Sequence, residues 1–154
     1  MARILLIGGI GAGKTSLKLW MSGIAGKAAK TQVLTYSDTF IDCPGEYLEI
    51  PRYYHVLIDA SHMVSEIWAL QDSQRLRSVY PPGFSKVFTK PVVGIVTKID
   101  LPDADPERAV SLLNQAGIQA PIYLTSAVTG AGCEALALRL KALELPKDME
   151  NGAV

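Results

Sequence analysis

The sequence has little charge of either sign: its 154 residues hold 15 lysines and arginines and 15 aspartates and glutamates, and only 19% of all residues are charged. Because nucleic-acid binding depends on a basic surface that meets the phosphates, we expect no nucleic-acid partner. Long hydrophobic runs are also missing, since segments such as residues 91–96 are far shorter than the ~20 residues of a membrane span. Neither Ala2 nor residues 151–154 form a lipidation signal, so we expect no membrane partner.

Cysteine is scarce as well, and the chain contains only Cys43 and Cys133. They lie far apart, they lack the spacing of a metal site, and no secretory signal precedes them, so we expect reduced thiols in a cytoplasmic protein. In contrast, 49% of the residues are hydrophobic, which is enough to form a core. We predict one nucleotide-binding domain over residues 1–145 and a disordered tail over residues 146–154.

Glycine is concentrated in one stretch, GGIGAGKT at residues 8–15, between an apolar run and a helical pattern. It fits the phosphate-binding loop, GxxxxGK followed by serine or threonine, in which backbone amides and a helix N-terminus bind phosphates. Lys14 would contact the β- and γ-phosphates, and the Thr15 hydroxyl would bind Mg²⁺. The nucleotide-binding residues predicted here are Gly8, Gly11, Ala12, Gly13, Lys14, Thr15 and Ser16.

The rest of the chain alternates strand and helix patterns. Strands are predicted at residues 4–7, 64–70, 91–96 and 122–124, and helices at residues 15–23, 52–61, 106–115 and 132–143. Residues 33–36 and 39–42 read as an antiparallel hairpin, and residues 71–88 as a loop with a short helical piece. This pattern predicts a single α/β domain with a mostly parallel sheet, helices on both faces, and ligands at the carboxyl ends of the strands.

Polar motifs follow several of these strands. Asp42 to Gly45 has the form DxxG, in which the aspartate binds Mg²⁺ through water and the glycine amide detects the γ-phosphate. Thr97 to Asp100 is a variant of NKxD. Its aspartate accepts two hydrogen bonds from guanine that adenine cannot donate, while Lys98 would lie along the base.

The short loop of Thr125, Ser126 and Ala127 is similar to one whose backbone amide contacts guanine O6. In order and placement, these motifs resemble those of small Ras-like GTPases with a P-loop NTPase fold, over about residues 3–143. The resemblance implies that GTP or GDP binds with Mg²⁺. It makes Thr31 the candidate switch threonine that would join Thr15 and Asp42 at the metal, although Thr31 could instead only begin a strand.

Two residues depart from the Ras-like pattern. Glu46 follows Gly45 where Ras-like proteins have the glutamine that orients water, and a carboxylate beside the γ-phosphate adds charge where charge is already dense. We therefore expect slow hydrolysis, with Lys14, Gly45 and Glu46 as the catalytic candidates. Thr97 replaces the asparagine that ties the base to the phosphate loop, so we expect a shortened tether and lower affinity.

A closer resemblance lies in IDCPGEYLEIPRYYH at residues 41–55 and TKIDLPDAD at residues 97–105. These stretches resemble the EutP/PduV family of ethanolamine- and propanediol-utilisation proteins, which are associated with bacterial microcompartments. The family implies nucleotide binding, with shell or enzyme proteins of the microcompartment as candidate partners. Some members have been assigned an ATP-dependent acetate kinase activity. Three hypotheses therefore stay open: a GTP-hydrolysing switch, an ATP-dependent phosphotransferase, and a scaffold that binds nucleotide without turnover.

Overall fold

A computed structural model of the protein describes residues 3–21 and 39–144. In these residues, five parallel strands form one sheet in the order β2-β1-β3-β4-β5. Each strand is rich in apolar side chains, as expected for strands covered on both faces. The strands are β1 Ile4–Gly8, β2 Phe40–Asp42, β3 Glu66–Asp72, β4 Val92–Thr97 and β5 Ile122–Leu124.

Helices connect these strands and cover both faces of the sheet. They are α1 Lys14–Met21, α2 Glu46–Glu49, α3 Tyr54–Ser61, α4 Pro106–Gln115 and α5 Cys133–Glu144. Short 3-10 segments occupy Pro51–Tyr53 and Phe84–Val87. The start of α4 follows its sequence, because the Asp105 side chain accepts a hydrogen bond from the Arg108 amide and Pro106 occupies the first turn.

Alternate residues of the central strands enter two separate cores. On one face, Leu6 and Trp68 pack with α1 and α5 through Leu17 and Leu136. On the other face, residues of the same strands pack with α2, α3 and α4 and with the aromatic side chains of residues 80–88. The predicted α/β architecture, a parallel sheet with helices on both faces, is confirmed.

Two details differ from the sequence-based expectation. The third strand begins at Glu66 and ends at Asp72, two residues later than predicted at each end, because the buried polar residues Gln71 and Asp72 continue the ladder to β4. β2 begins at Phe40 and pairs in parallel with β1. Residues 33–36, the other half of the predicted hairpin, lie outside the described residues, as do residues 146–154.

The helices within residues 3–21 and 39–144 are too short or too polar to cross a membrane.

Candidate functional site

The glycine-rich loop wraps around a cleft at the carboxyl end of β1. Gly11 and Gly13 adopt positive φ angles of 76° and 101°, which glycine reaches without strain. The Ala12 amide donates to the Gly9 carbonyl at 3.0 Å and closes the turn before α1 begins at Lys14. The cleft has a volume of about 290 Å³ and is lined by residues 11–16 and Lys98. Backbone amides and a helix N-terminus therefore surround a space suited to an anion.

Lys14 is folded back onto this loop. Its ammonium donates to the carbonyl oxygen of Gly8 at 2.9 Å and to that of Gly9 at 3.4 Å. Burial lowers the pKa of Lys14, and the nearby carboxylate of Asp42 opposes that shift. An anion in the cleft offers this ammonium a charged acceptor in place of neutral carbonyl oxygens.

A second cleft, of about 160 Å³, adjoins the first and carries the predicted base-binding residues. Asp100 lines this cleft, and its Oδ1 accepts a hydrogen bond of 2.8 Å from the Ser126 hydroxyl. Within the described ranges, Oδ2 of Asp100 accepts no hydrogen bond. The lining residues are Gly13, Ser16, Leu17, Thr97, Lys98, Asp100, Leu101, Thr125, Ala127 and Val128. The cleft combines apolar walls with one oriented carboxylate.

In the loop after β5, the two candidate residues Ser126 and Ala127 make different contacts. The Ser126 amide donates to the Ala131 carbonyl at 2.9 Å, so it is already used inside the protein. The Ala127 amide has no acceptor among residues 3–21 and 39–144, and Ala127 lines the cleft. Ser126 therefore orients Asp100 through its side chain, while the Ala127 amide is not used within the described part of the loop.

Two hydrogen bonds join this second cleft to the glycine-rich loop. We call it the base-side cleft, because it is lined by the predicted base-binding residues. The buried Thr97 hydroxyl donates to the Ala12 carbonyl at 2.7 Å, and the Lys98 ammonium donates to the Gly11 carbonyl at 2.6 Å. Lys98 has a φ of 63°, and this turn of the backbone follows the end of β4. We expected threonine, in place of asparagine, to shorten the tether to the loop. The hydrogen bond from Thr97 to Ala12 shows that threonine still reaches the loop.

The segment after β2 lies directly on the glycine-rich loop. A Cβ atom at Gly45 would be 2.6 Å from the Ile10 nitrogen, so only glycine permits this approach. Glu46 begins α2 with an exposed side chain, and its charge acts on Lys14. The Asp42 carboxylate accepts a hydrogen bond of 2.8 Å from the Lys18 ammonium. The predicted metal ligand Asp42 and the predicted catalytic residue Glu46 therefore both act electrostatically on Lys14.

Comparison with known proteins agrees with this arrangement of motifs. A family described as "Ethanolamine utilisation - propanediol utilisation", PduV-EutP, matches residues 1–142. The chain belongs to the PduV-EutP family. It is 40% identical over 147 residues to "Propanediol utilization protein PduV" of Citrobacter freundii, covering 94% of this chain and 96% of that protein. It is also 37% identical over 125 residues to "Probable acetate kinase EutP" of Salmonella typhimurium, covering 80% of this chain and 79% of that protein.

One predicted residue of this family member lies outside the described residues, and two unpredicted ones take part in the site. Thr31, the candidate switch threonine, belongs to the undescribed part of the chain. Asp72, buried at the end of β3, accepts a bond of 3.1 Å from the Lys98 ammonium and one of 2.8 Å from the Gln74 amide. Lys18 pairs with Asp42. The sequence offered one signal for each residue. Asp72 is an acidic residue at the end of an apolar strand, and Lys18 is a lysine one turn after Lys14.

The two cysteines lie next to these polar residues: Cys43 follows Asp42 in the chain, and the Cys133 thiol donates to the Ser126 carbonyl at 3.6 Å. Both are buried, and burial raises the pKa of Cys43 to about 11. A thiol with a raised pKa is a poor nucleophile and a poor metal ligand. Both thiols are free, which agrees with the expectation of reduced cysteines.

Proposed function

We propose that this chain is a guanine-nucleotide-binding protein that holds GTP or GDP with Mg²⁺ and hydrolyses GTP slowly. The observation that carries the proposal is the Asp100 carboxylate, oriented by the Ser126 hydroxyl at 2.8 Å beside a cleft that continues into the glycine-rich loop. Guanine presents two donors, N1–H and the 2-amino group, that match the two oxygens of a carboxylate. Adenine presents no such pair, so its binding would leave Asp100 with the Ser126 hydroxyl on Oδ1 and no donor from the base on Oδ2.

The loop and Lys14 support the phosphate end of the proposal. The amides that surround the larger cleft suit the β- and γ-phosphates, and the Lys14 ammonium is close enough to exchange its carbonyl partners for phosphate oxygens. The close approach of Gly45 to the backbone of the loop supports a role for its amide in the response to a terminal phosphate. Glu46 is a carboxylate in the position where glutamine would orient water, which favours slow turnover.

The donor chemistry of the site fits Mg²⁺. Thr15 offers a hydroxyl oxygen and Asp42 a carboxylate oxygen, and among residues 3–21 and 39–144 no group of three histidine, cysteine or acidic side chains could hold a metal by itself. Mg²⁺ is commonly held by one or two carboxylates together with waters and substrate phosphates. When bound, the ion would neutralise the charge of the phosphates. Thr15 and Asp42 would hold it against the loop.

Family membership supports a biological setting for this activity. We propose that the nucleotide state is read by shell or enzyme proteins of a microcompartment for ethanolamine or propanediol utilisation. A second candidate function, ATP-dependent phosphoryl transfer to acetate, is favoured by the name "Probable acetate kinase EutP" of the relatives in Salmonella typhimurium and Escherichia coli. The two candidates differ in the nucleobase that they require.

Competition binding separates these candidates. A fluorescent GDP analogue bound to the full chain is displaced with GDP or with ADP, and we expect GDP to be at least about 100-fold more effective, because two hydrogen bonds to a charged group are at stake. Asp100→Ala should abolish that preference and leave ADP binding unchanged. Asp103→Ala, which removes a nearby exposed carboxylate, should preserve it. Equal displacement by ADP would refute the guanine assignment, and acetate-dependent formation of ADP from ATP would then support the kinase.

A further inference from the structure

Lys18 is a buried cation within the site. It lies on α1 between the buried residues Leu17 and Leu19, and only 4% of its surface is exposed. A buried ammonium is costly unless it is paired, and Lys18 donates to Oδ2 of Asp42 at 2.8 Å. This ion pair joins α1 to the end of β2.

The partner of Lys18 is the same carboxylate that the proposed function assigns to Mg²⁺. The Asp42 side chain is 34% exposed, and within the described part of the chain its Oδ1 accepts no hydrogen bond. One oxygen is therefore paired with lysine, and the other has no hydrogen-bond donor among residues 3–21 and 39–144. Lys14 senses both charges, because Asp42 raises its pKa and Lys18 lowers it. The two ammonium groups and the carboxylate form one electrostatic unit.

We propose that Lys18 is a resident counter-cation of Asp42 that supplies part of the positive charge Mg²⁺ would bring, so that nucleotide binding depends only weakly on Mg²⁺. This inference rests on the proposed function, because it concerns the same phosphate site. Without a metal, Lys18 keeps Asp42 from repelling the phosphates. With a metal, its fixed positive charge opposes a second cation at the same carboxylate. Both effects reduce the difference between the nucleotide affinity with Mg²⁺ and the nucleotide affinity without it.

The experiment compares nucleotide affinity with and without Mg²⁺. The full chain is titrated with a methylanthraniloyl-labelled GDP in excess EDTA and in millimolar Mg²⁺, and the ratio of the two dissociation constants is recorded. We expect a ratio below about tenfold for the wild type. Lys18→Met, which keeps the length and removes the charge, should raise the ratio by at least about tenfold, since one unit charge is lost beside Asp42. Lys18→Arg should keep the wild-type ratio.

Lys90→Met is the matched control. Lys90 donates to the Val64 carbonyl at 2.7 Å, and it precedes β4, at the amino ends of the strands and away from the loop. The substitution removes the same charge and should leave the ratio unchanged. If it raises the ratio as Lys18→Met does, net charge explains the effect and the assignment to Lys18 is wrong.

The outcomes separate this inference from the proposed function. If the wild type binds no guanine nucleotide in either buffer, both are overturned. If it binds but Lys18→Met has the wild-type ratio, only the role of Lys18 is overturned. Circular dichroism establishes that the variant is folded. Should it be unfolded, the wild-type ratio decides, because a value above about tenfold contradicts a resident cation and a lower value supports it.

Discussion

Glu66 forms a buried ion pair away from the proposed nucleotide site. It is the first residue of β3, and its side chain is 3% exposed. The carboxylate accepts three hydrogen bonds: 2.8 Å from the Trp68 indole, 2.6 Å from Nε of Arg139 and 2.9 Å from Nη2 of Arg139. The hydrogen bond to Glu66 raises the pKa of Arg139 above its ordinary value. The perturbation we consider is Glu66→Gln.

Glutamine keeps the shape of glutamate but replaces one hydrogen-bond acceptor with a donor. Its amide nitrogen would replace one carboxylate oxygen and meet an N–H group of Arg139 or Trp68, so that two donors face each other. Removing one partner of a buried ion pair costs about 3–5 kcal/mol. Because the Arg139 side chain is 27% exposed and can regain some water, we expect the lower end, about 3 kcal/mol. For a domain of this size that is a decrease in Tm of about 6–12 °C.

Urea unfolding followed by tryptophan fluorescence measures this cost, because Trp68 lies in the same network. Glu49→Gln removes an equal charge from an exposed position and should change the free energy of unfolding by less than about 0.5 kcal/mol. Arg139→Met in the Glu66→Gln background should cost less than in the wild type, because the ion pair is already broken. A loss below about 1 kcal/mol for Glu66→Gln would refute the reasoning.

Two further predictions test the site itself. Gly45→Ala places a Cβ atom 2.6 Å from the Ile10 nitrogen, and because backbone cannot yield as a side chain can, urea unfolding should reveal a loss of about 1–3 kcal/mol; an unchanged midpoint would contradict the contact. Because burial raises the pKa of Cys43 to about 11, roughly one thiol in a thousand is ionised at pH 8. Alkylation followed by mass spectrometry should be slow at pH 8 and accelerate up to about pH 11, and rapid labelling at pH 8 would contradict it. The raised pKa also means that the thiol stabilises the fold below its ordinary value of 9.0, and that this contribution is lost as the pH rises toward 11.

The sequence was sufficient to predict which polar residues lie at the carboxyl edge of the sheet. Asp42, Thr97 and Asp100 all fall at or just after the carboxyl end of a strand, and parallel strands bring those ends to one edge of the sheet. The α/β architecture followed from the same alternation. These features are local in the chain, so periodicity and motif spacing were enough to find them.

Long-range pairings could not be predicted in this way. Lys18 and Asp42 are 24 residues apart, and Lys98 and Asp72 are 26 apart, so no local pattern reveals that they meet. Asp72 was also missed because apolar periodicity stops at Leu70, whereas the ladder continues through two buried polar residues. Buried polar side chains gain their stability from partners that only the fold supplies.

Strand β3 carries one buried carboxylate at each end. We expect the one at the amino end to matter for stability and the one at the carboxyl end to matter for the candidate site. At its amino end, Glu66 binds Arg139 of α5 and lies far along the strand from the loop. At its carboxyl end, Asp72 is paired in register with Thr97 and accepts a hydrogen bond from the Lys98 ammonium, which also contacts the loop. A change at Glu66 should therefore lower stability without altering the proposed preference for guanine. A change at Asp72 would release Lys98, and the base-side cleft would lose one of its two links to the glycine-rich loop.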